Sequence, residues 1–217
     1  VVAAMEPELE RVRRWREAPL GITLETPVTR TRDGLESPLG NLFADAILAA
    51  VPEADVAIGM GARRGGLRTD LPAGALTRGS LYDVFAFDNR VVTLVLTGAQ
   101  LRKVLAAQVV RGRRGLPSVS GLRVRVNCQG ESPEVEIVRP SGDPIDPAES
   151  LVVATTDFFA ARASFGAVAP QTAWASSPLV RDAAAGWLTA RGGRLRGADL
   201  ANPPRWEPFD GDACLAG

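Results

Sequence analysis

One stretch decides the fold class of this chain: TRGSLYDVFAFDNRVVTLVLTGAQLRKVLAAQVV, residues 77–110. Its first part, 77–86, has the pattern of a short capped helix. The apolar run at 90–96 predicts a strand. Thr97 then provides an N-cap, and apolar residues recur at helical spacing as far as residue 110. Helix, strand and helix in direct succession indicate a mixed α/β (α+β) fold.

The flanking sequence extends this mixture in both directions. Residues 36–52, ESPLGNLFADAILAAVP, predict a core-facing amphipathic helix with Ser37 as its N-cap and Pro38 at its first position. A final helix, with a serine cap and a glycine at its end, is predicted at 176–193. These elements predict a layered sandwich of mixed sheets and helices. Further strands are predicted at 54–60, 120–127 and 133–139, and a short charged helix at 7–19. Residues 151–161 are predicted to form a buried strand that runs into a helix or loop.

The chain is expected to divide into three parts. We predict an N-terminal helix or linker at 1–19, one compact domain at 20–195 and a C-terminal tail at 196–217. Neither an internal repeat nor a disordered linker interrupts the middle part. Because the chain starts at Val1 without an initiator methionine, we expect a processed protein or part of a longer one.

Composition excludes several classes of function. Lys and Arg total 25, as do Asp and Glu, so the formal net charge is zero and no nucleic-acid partner is expected. No stretch approaches the roughly 20 apolar residues of a membrane-spanning helix, so no membrane span is expected. Histidine is absent, which excludes catalytic triads with a histidine base and the usual His-rich metal sites. A pair of carboxylates, Asp88 and Asp157, is one histidine-free alternative, although its spacing gives no specific support.

An arginine- and glycine-rich loop, RRGGLRTDLPAG at 63–74, follows the predicted strand at 54–60. Loops that leave the carboxyl end of a buried strand are where α/β proteins place ligands. Arg68 could donate bidentate hydrogen bonds to a phosphate, carboxylate or ribose. The glycines would let the backbone approach that ligand closely. A solvated surface turn is the alternative interpretation.

Aromatic residues occur in two further loops. FAFDNRVV at 85–92 offers Phe87 as a stacking platform, with Asn89 holding the loop. TTDFFAARASFG at 155–166 again follows a strand and offers Phe158. Ordinary core packing is the alternative for each ring. Two aromatics arriving from separate loops would form a site for a flat heterocycle.

An ordered series of sequence blocks carries a family resemblance. Over about residues 20–190 the chain contains, in this order, ESPLGNLFADA, ADVAI, GGLRTDLPAGALTRGSLYDVFAFDN, VVTLVLTGAQLRKVL, SVSGLRV, GDPIDP and LVVATTDFFA. This series resembles the C-terminal domain of the 5′-nucleotidase / UDP-sugar hydrolase / 2′,3′-cyclic phosphodiesterase family. The resemblance implies that Arg68 contacts a nucleotide, that Phe87 and Phe158 stack on its base, and that Asn89 lies nearby.

The resemblance also implies how the chain functions. In that family this domain recognises substrate, and a separate metallophosphoesterase domain carries two divalent metal ions and the catalytic residues. Upstream arginines contact substrate phosphate, and Arg30 and Arg32 are the candidates here. We therefore expect a nucleoside- or nucleotide-recognition domain that acts in nucleotide catabolism, needs a metallophosphoesterase domain in cis or in trans, and is inactive alone.

Two features leave alternatives open. At 161–166 the chain reads ARASFG, where the family has a Gly-Gly-Asp-Gly-Tyr turn, so an interaction or scaffold domain without nucleotide binding is the alternative function. We expect an exported protein, in which Cys128 and Cys214 would form one disulfide. Two unpaired thiols are an equally good interpretation, because pairing cannot be derived from sequence.

Overall fold

Helices and strands are intermingled along the chain. The computed structural model describes residues 2–30, 36–60, 66–110, 116–127, 133–161 and 177–208. The helices in these ranges are α1 Val2–Glu17, α2 Pro38–Ala49, α3 Arg78–Val84, α4 Gly98–Val110, α5 Asp157–Ala160 and α6 Val180–Arg191. The strands are β1 Pro19–Leu24, β2 Val56–Ile58, β3 Gly74–Thr77, β4 Val91–Thr97, β5 Val119–Ser120, β6 Arg123–Asn127, β7 Glu134–Val138, β8 Ser150–Thr156, β9 Gly193–Leu195 and β10 Trp206–Pro208.

The strands described here form three sheets, each of which mixes parallel and antiparallel pairs. The four-stranded sheet has the order β4-β8-β2-β5, and the other two have the orders β3-β1-β9 and β10-β6-β7. In the four-stranded sheet β2 and β8 are parallel, whereas β4 and β5 run antiparallel to their neighbours. The predicted combination of mixed sheets and helices is confirmed. Within the described ranges, no helix combines the length and the apolar character needed to cross a membrane.

The four-stranded sheet lies between two apolar clusters. Ala57 and Ala154 face the first cluster, to which α2, α3, α6 and the sheet β3-β1-β9 contribute. Val56, Val92 and Val153 face the second cluster, to which α4, β6 and β7 contribute. Successive side chains of a strand point to opposite faces, so β2, β4 and β8 each supply both clusters. Both faces of the sheet are therefore packed against apolar side chains.

Local capping signals were correct for α2 and α4, as they were for α3, where Thr77 is the N-cap. Ser37 Oγ accepts a hydrogen bond from Gly40 N at 3.1 Å, so it caps α2 as predicted. Thr97 Oγ1 accepts one from Gln100 N at 3.2 Å, so it caps α4. In both cases the partner lies three residues away, which is why the sequence alone reveals the contact.

The predicted serine cap of the final helix is wrong. α6 begins at Val180, and its N-cap, Leu179, makes no side-chain capping bond. The Ser177 carbonyl accepts a hydrogen bond from the Arg90 side chain, and the Pro178 carbonyl accepts one from Val91 N. These long-range bonds hold the segment extended beside the start of β4 and delay the helix. The glycine at the helix end is confirmed, since Gly192 follows Arg191 with a φ of 57°.

The last described strand, β10, and the residue before it contact distant parts of the chain. Trp206 is buried, and its indole Nε1 donates to the Pro117 carbonyl at 2.8 Å. The Arg205 guanidinium donates to both carboxylate oxygens of Asp45, at 2.8 and 2.9 Å. Glu36 accepts from the backbone N–H groups of Arg205 and Trp206. Residues 205–208 thus join α2 to the sheet β10-β6-β7.

Candidate functional site

Three loops meet at one edge of the four-stranded sheet. Because β2 and β8 are parallel, their carboxyl ends lie at the same edge. The antiparallel pairing of Val91 with Thr156 places the start of β4 there as well. A hydrogen bond of 2.8 Å from Thr155 Oγ1 to the Ile58 carbonyl joins the ends of β8 and β2. The loop after β2, the turn before β4 and the short helix α5 therefore leave the sheet side by side.

Phe87 is the outermost ring of an aromatic row that begins in the core. Phe43 and Phe85 are fully buried, and the ring centroids are 5.6 Å apart both for Phe43–Phe85 and for Phe85–Phe87. The Phe87 side chain is 50% exposed. Core packing therefore describes Phe85, whereas Phe87 is half-exposed.

The second predicted aromatic lies at the start of α5. Phe158 is 47% exposed, whereas its neighbour Phe159 packs against the second apolar cluster. Asp157 Oδ1 accepts a hydrogen bond from Asn89 Nδ2 at 2.7 Å and another from Phe158 N at 2.6 Å. The Asn89 side chain therefore links the turn that carries Phe87 to the turn that carries Phe158.

The glycine-rich loop lies against the same rings. Gly66 has a φ of +85°, and a Cβ there would come within 3.0 Å of both the Phe85 ring and the Phe87 ring. Two residues later, Arg68 N donates to the Val84 carbonyl at 2.8 Å. The Arg68 side chain is exposed and makes no hydrogen bond or ion pair to any other described residue. Arg68 therefore lies two residues from the position at which this loop contacts Phe87.

Arg30 contacts the same loop rather than standing alone. Its backbone N donates to Asp70 Oδ1 at 2.9 Å, and its Nη1 donates to the Leu67 carbonyl at 3.1 Å. Arg30 therefore supports the backbone that presents Arg68. Of the other predicted residues, Arg32, Cys128 and Cys214 lie outside the described residues, as does most of ARASFG.

Arg181 was not among the residues predicted from the sequence. This residue lies in the first turn of α6. Its guanidinium donates hydrogen bonds to the Phe85 and Phe87 carbonyls and to the Asp88 carboxylate. No local signal in the sequence indicates these contacts, because Arg181 lies 94 residues from Phe87.

The two aspartates considered as a catalytic pair have different partners. Asp88 forms an ion pair with Arg181 at 2.9 Å, and Asp157 accepts the two hydrogen bonds described above. These contacts give a carboxylate-pair mechanism no support. Among the residues that the structure describes, no group of three or more His, Cys, Asp or Glu side chains could hold a metal ion. The expectation that metals belong to a separate domain stays a prediction.

Among curated proteins, this chain is similar in sequence to a nucleotide phosphoesterase. The chain is 29% identical over 163 residues to the trifunctional nucleotide phosphoesterase protein YfkN of Bacillus subtilis (strain 168). The match covers 71% of this chain and 11% of YfkN. This chain thus corresponds to a small part of that relative.

Solved structures show the same fold. The 5′-nucleotidase precursor of Thermus thermophilus superposes with a TM-score of 0.73 at 21% identity, covering 97% of this chain and 42% of that one. The sulfate thiohydrolase SoxB of the same organism superposes with a TM-score of 0.70 at 23% identity, covering 97% of this chain and 38% of that one. The family described as "5′-nucleotidase, C-terminal domain" matches residues 19–168, which is more than half of the chain. This protein therefore belongs to the 5′-nucleotidase C-terminal domain family.

Proposed function

We propose that this chain is the substrate-recognition domain of a 5′-nucleotidase-type phosphoester hydrolase and that it binds a nucleoside or nucleotide. One observation carries the proposal: Phe87 and Phe158 are half-exposed rings on neighbouring turns that the Asn89–Asp157 hydrogen bond joins. Stacking of a base on an aromatic side chain contributes about 1–3 kcal/mol and tolerates different bases. The name of YfkN, a nucleotide phosphoesterase, supports a nucleotide as the ligand.

Arg68 supplies the polar half of the proposed site. Its loop contacts Phe87 through Gly66, and its exposed side chain has no partner among the described residues. A guanidinium donates two parallel hydrogen bonds to a phosphate, which makes arginine well suited to this ligand. Arg68 is therefore assigned to the phosphate of a bound nucleotide, with Arg30 holding the loop in place.

Phosphoester hydrolysis requires a second domain. Two-metal hydrolysis needs several His, Asp or Glu ligands held close together, whereas this chain has no histidine and its described residues contain no such cluster. The donor set therefore does not fit a two-metal centre. We assign catalysis to a metallophosphoesterase domain in cis or in trans, and this chain by itself is inactive.

The whole protein is proposed to act outside the cytoplasm. The Thermus thermophilus relative is a 5′-nucleotidase precursor, which supports an exported protein. Fractionation of the producing cells tests this location, and recovery in the cytoplasmic fraction alone would contradict it.

Calorimetric titration with adenosine, AMP and UMP tests ligand recognition. We expect Phe87→Ala and Phe158→Ala to weaken binding of all three ligands by about 5- to 100-fold, through loss of stacking. Arg68→Ala should weaken the binding of AMP and UMP but leave the binding of adenosine unchanged, because adenosine has no phosphate. Arg78→Ala and Val110→Ala, which remove an exposed cation and an exposed apolar side chain elsewhere, serve as controls.

Absence of binding at millimolar ligand would favour the second candidate function. This is an interaction or scaffold domain that kept the fold and lost the pocket, and the ARASFG sequence after Phe158 favours it. Equal weakening of adenosine and AMP by Arg68→Ala would instead contradict only the role assigned to that side chain.

A further inference from the structure

The first turn of α6 contains a buried arginine that contacts three acceptors on one short turn. Arg181 is 8% exposed. Its Nη1 donates to the carbonyls of Phe85 and Phe87, at 3.3 and 3.2 Å, and its Nη2 donates to Asp88 Oδ1 at 2.9 Å. All three acceptors belong to the short turn around the proposed stacking ring.

The place that Arg181 occupies is electrostatically unfavourable for a cation. A positive charge in the first turn of a helix lies at the positive end of the helix dipole. Burial of a guanidinium also costs free energy, and its ion-pair partner Asp88 is 78% exposed and therefore screened by solvent. Buried ion pairs can often be replaced by apolar residues without loss of stability. An apolar side chain at this place would lack the three hydrogen bonds that Arg181 donates to the turn.

The contacts fix both the position and the orientation of the turn. The guanidinium is planar and presents its N–H donors in a rigid fork, so several acceptors become fixed relative to one another. The guanidinium carbon also lies 5.1 Å from the centre of the Tyr82 ring. The next attachment comes from Val180 N, which donates to the Asn89 carbonyl at 2.9 Å. The turn 85–89 is thus held along its length by the start of α6.

We propose that Arg181 is the positioning residue of the aromatic site. It fixes the turn 85–89, so that the Phe87 ring keeps its place relative to Phe158 without Arg181 touching the ligand. The geometric part of this inference is independent of ligand identity. Its consequence for binding rests on the proposed function.

The test compares variants of α6 and of the turn that its first residues contact. Arg181→Met keeps much of the side-chain volume and removes all donors, whereas Arg181→Lys keeps the charge. Asp88→Asn removes the ion pair but leaves both carbonyl contacts. Arg191→Met is the matched control, because its guanidinium lies at the far end of α6, 5.2 Å from the Trp187 ring centre.

Two readouts separate positioning from general stability. The full chain is labelled with 4-fluorophenylalanine, and the ¹⁹F resonances of Phe87 and Phe158 are assigned with Phe87→Leu and Phe158→Leu. Adenosine affinity is measured in parallel, and thermal unfolding shows that each variant is folded. We expect Arg181→Met to shift or broaden the Phe87 resonance and to leave the Phe158 resonance unchanged. We also expect it to lower the affinity for adenosine about tenfold, as the loss of one stacking contact would.

The lysine and asparagine variants should give intermediate effects, and Arg191→Met should give none. An unchanged Phe87 resonance in folded Arg181→Met, or equal changes at Phe87 and Phe158, would overturn the inference. If Arg181→Met does not fold, the Phe87 resonance of Arg181→Lys decides in the same way. If the unsubstituted chain fails to bind adenosine, the proposed function fails, while the resonance still tests the position of the ring.

Discussion

Gly66 shows how a single residue shapes the candidate site. Its φ of +85° lies in the left-handed region, which side chains other than glycine rarely adopt. The space for a side chain is also occupied, because the Phe85 and Phe87 rings lie against this position. The glycine therefore lets the loop that carries Arg68 pass directly over the aromatic row.

Replacement of Gly66 should affect both stability and the site. Gly66→Ala is expected to lower the free energy of unfolding by about 1–2 kcal/mol, because alanine is strained at this φ. It should also displace the Phe87 ring and weaken adenosine binding. Gly186→Ala in α6 is the matched control, since its Cβ would meet nothing within 4 Å and should stabilise the helix by about 0.5–1 kcal/mol. Urea unfolding measures both, and equal effects at the two glycines would contradict the explanation.

At the scale of elements, charged side chains join the ends of β1 and β9. Glu25 directly follows β1, and its carboxylate accepts from Arg196 Nε at 2.6 Å and from Arg194 Nη1 at 3.5 Å. The hydrogen bond and the charge of Arg196 hold the pKa of the Glu25 carboxyl below its ordinary value. The ionised form is thus favoured in the folded chain.

This contact predicts a pH-dependent difference. The Glu25 contribution to stability is present above the ordinary glutamate pKa, about 4.3, and is lost as pH falls through the lowered pKa of the folded state. Glu25→Gln should therefore be slightly less stable than the unsubstituted chain at pH 7, and the difference should vanish in acid. Urea unfolding at a series of pH values measures it. Glu53→Gln, at a surface carboxylate, is the control, and a difference that grows toward low pH would refute the assignment.

At the scale of the whole molecule, the second apolar cluster depends on residues far apart in the chain. Trp206 enters this cluster beside residues of β4, β6 and β8, and Arg205 pairs with Asp45 of α2. Both residues follow position 195, where the sequence predicts the end of the domain. Their contribution to stability tests that division.

Removal of these contacts should destabilise the fold. Trp206→Ala should lower the free energy of unfolding by about 3–5 kcal/mol, the usual cost of deleting a buried tryptophan. Arg205→Met should cost less, about 2 kcal/mol, because the ion pair is only partly buried. A chain that ends at residue 195 loses both contacts, so its unfolding midpoint should lie at a lower urea concentration. An unchanged unfolding midpoint would instead support a domain boundary at 195.

The sequence by itself determined the local features of this protein. Amphipathic spacing identified α2 and α4, and the caps Ser37 and Thr97 were readable because each contacts a backbone N–H three residues away. Alternation identified the antiparallel strands β6 and β7. Ordered motifs identified the family. Such features depend on neighbours along the chain, which a single sequence contains.

Only the tertiary structure decided how these parts form a site. The serine predicted as a cap for α6 instead supplies a carbonyl to Arg90, 87 residues away. The link from Asn89 to Asp157 spans 68 residues, and that from Arg181 to the Phe87 carbonyl spans 94. Neither pair has a local signal, because the contact exists only when β4, β8 and the start of α6 meet at one sheet edge. Residue type and spacing suggested candidate binding residues, whereas packing of distant segments determines where Phe87 and Phe158 lie and which contacts hold their turns.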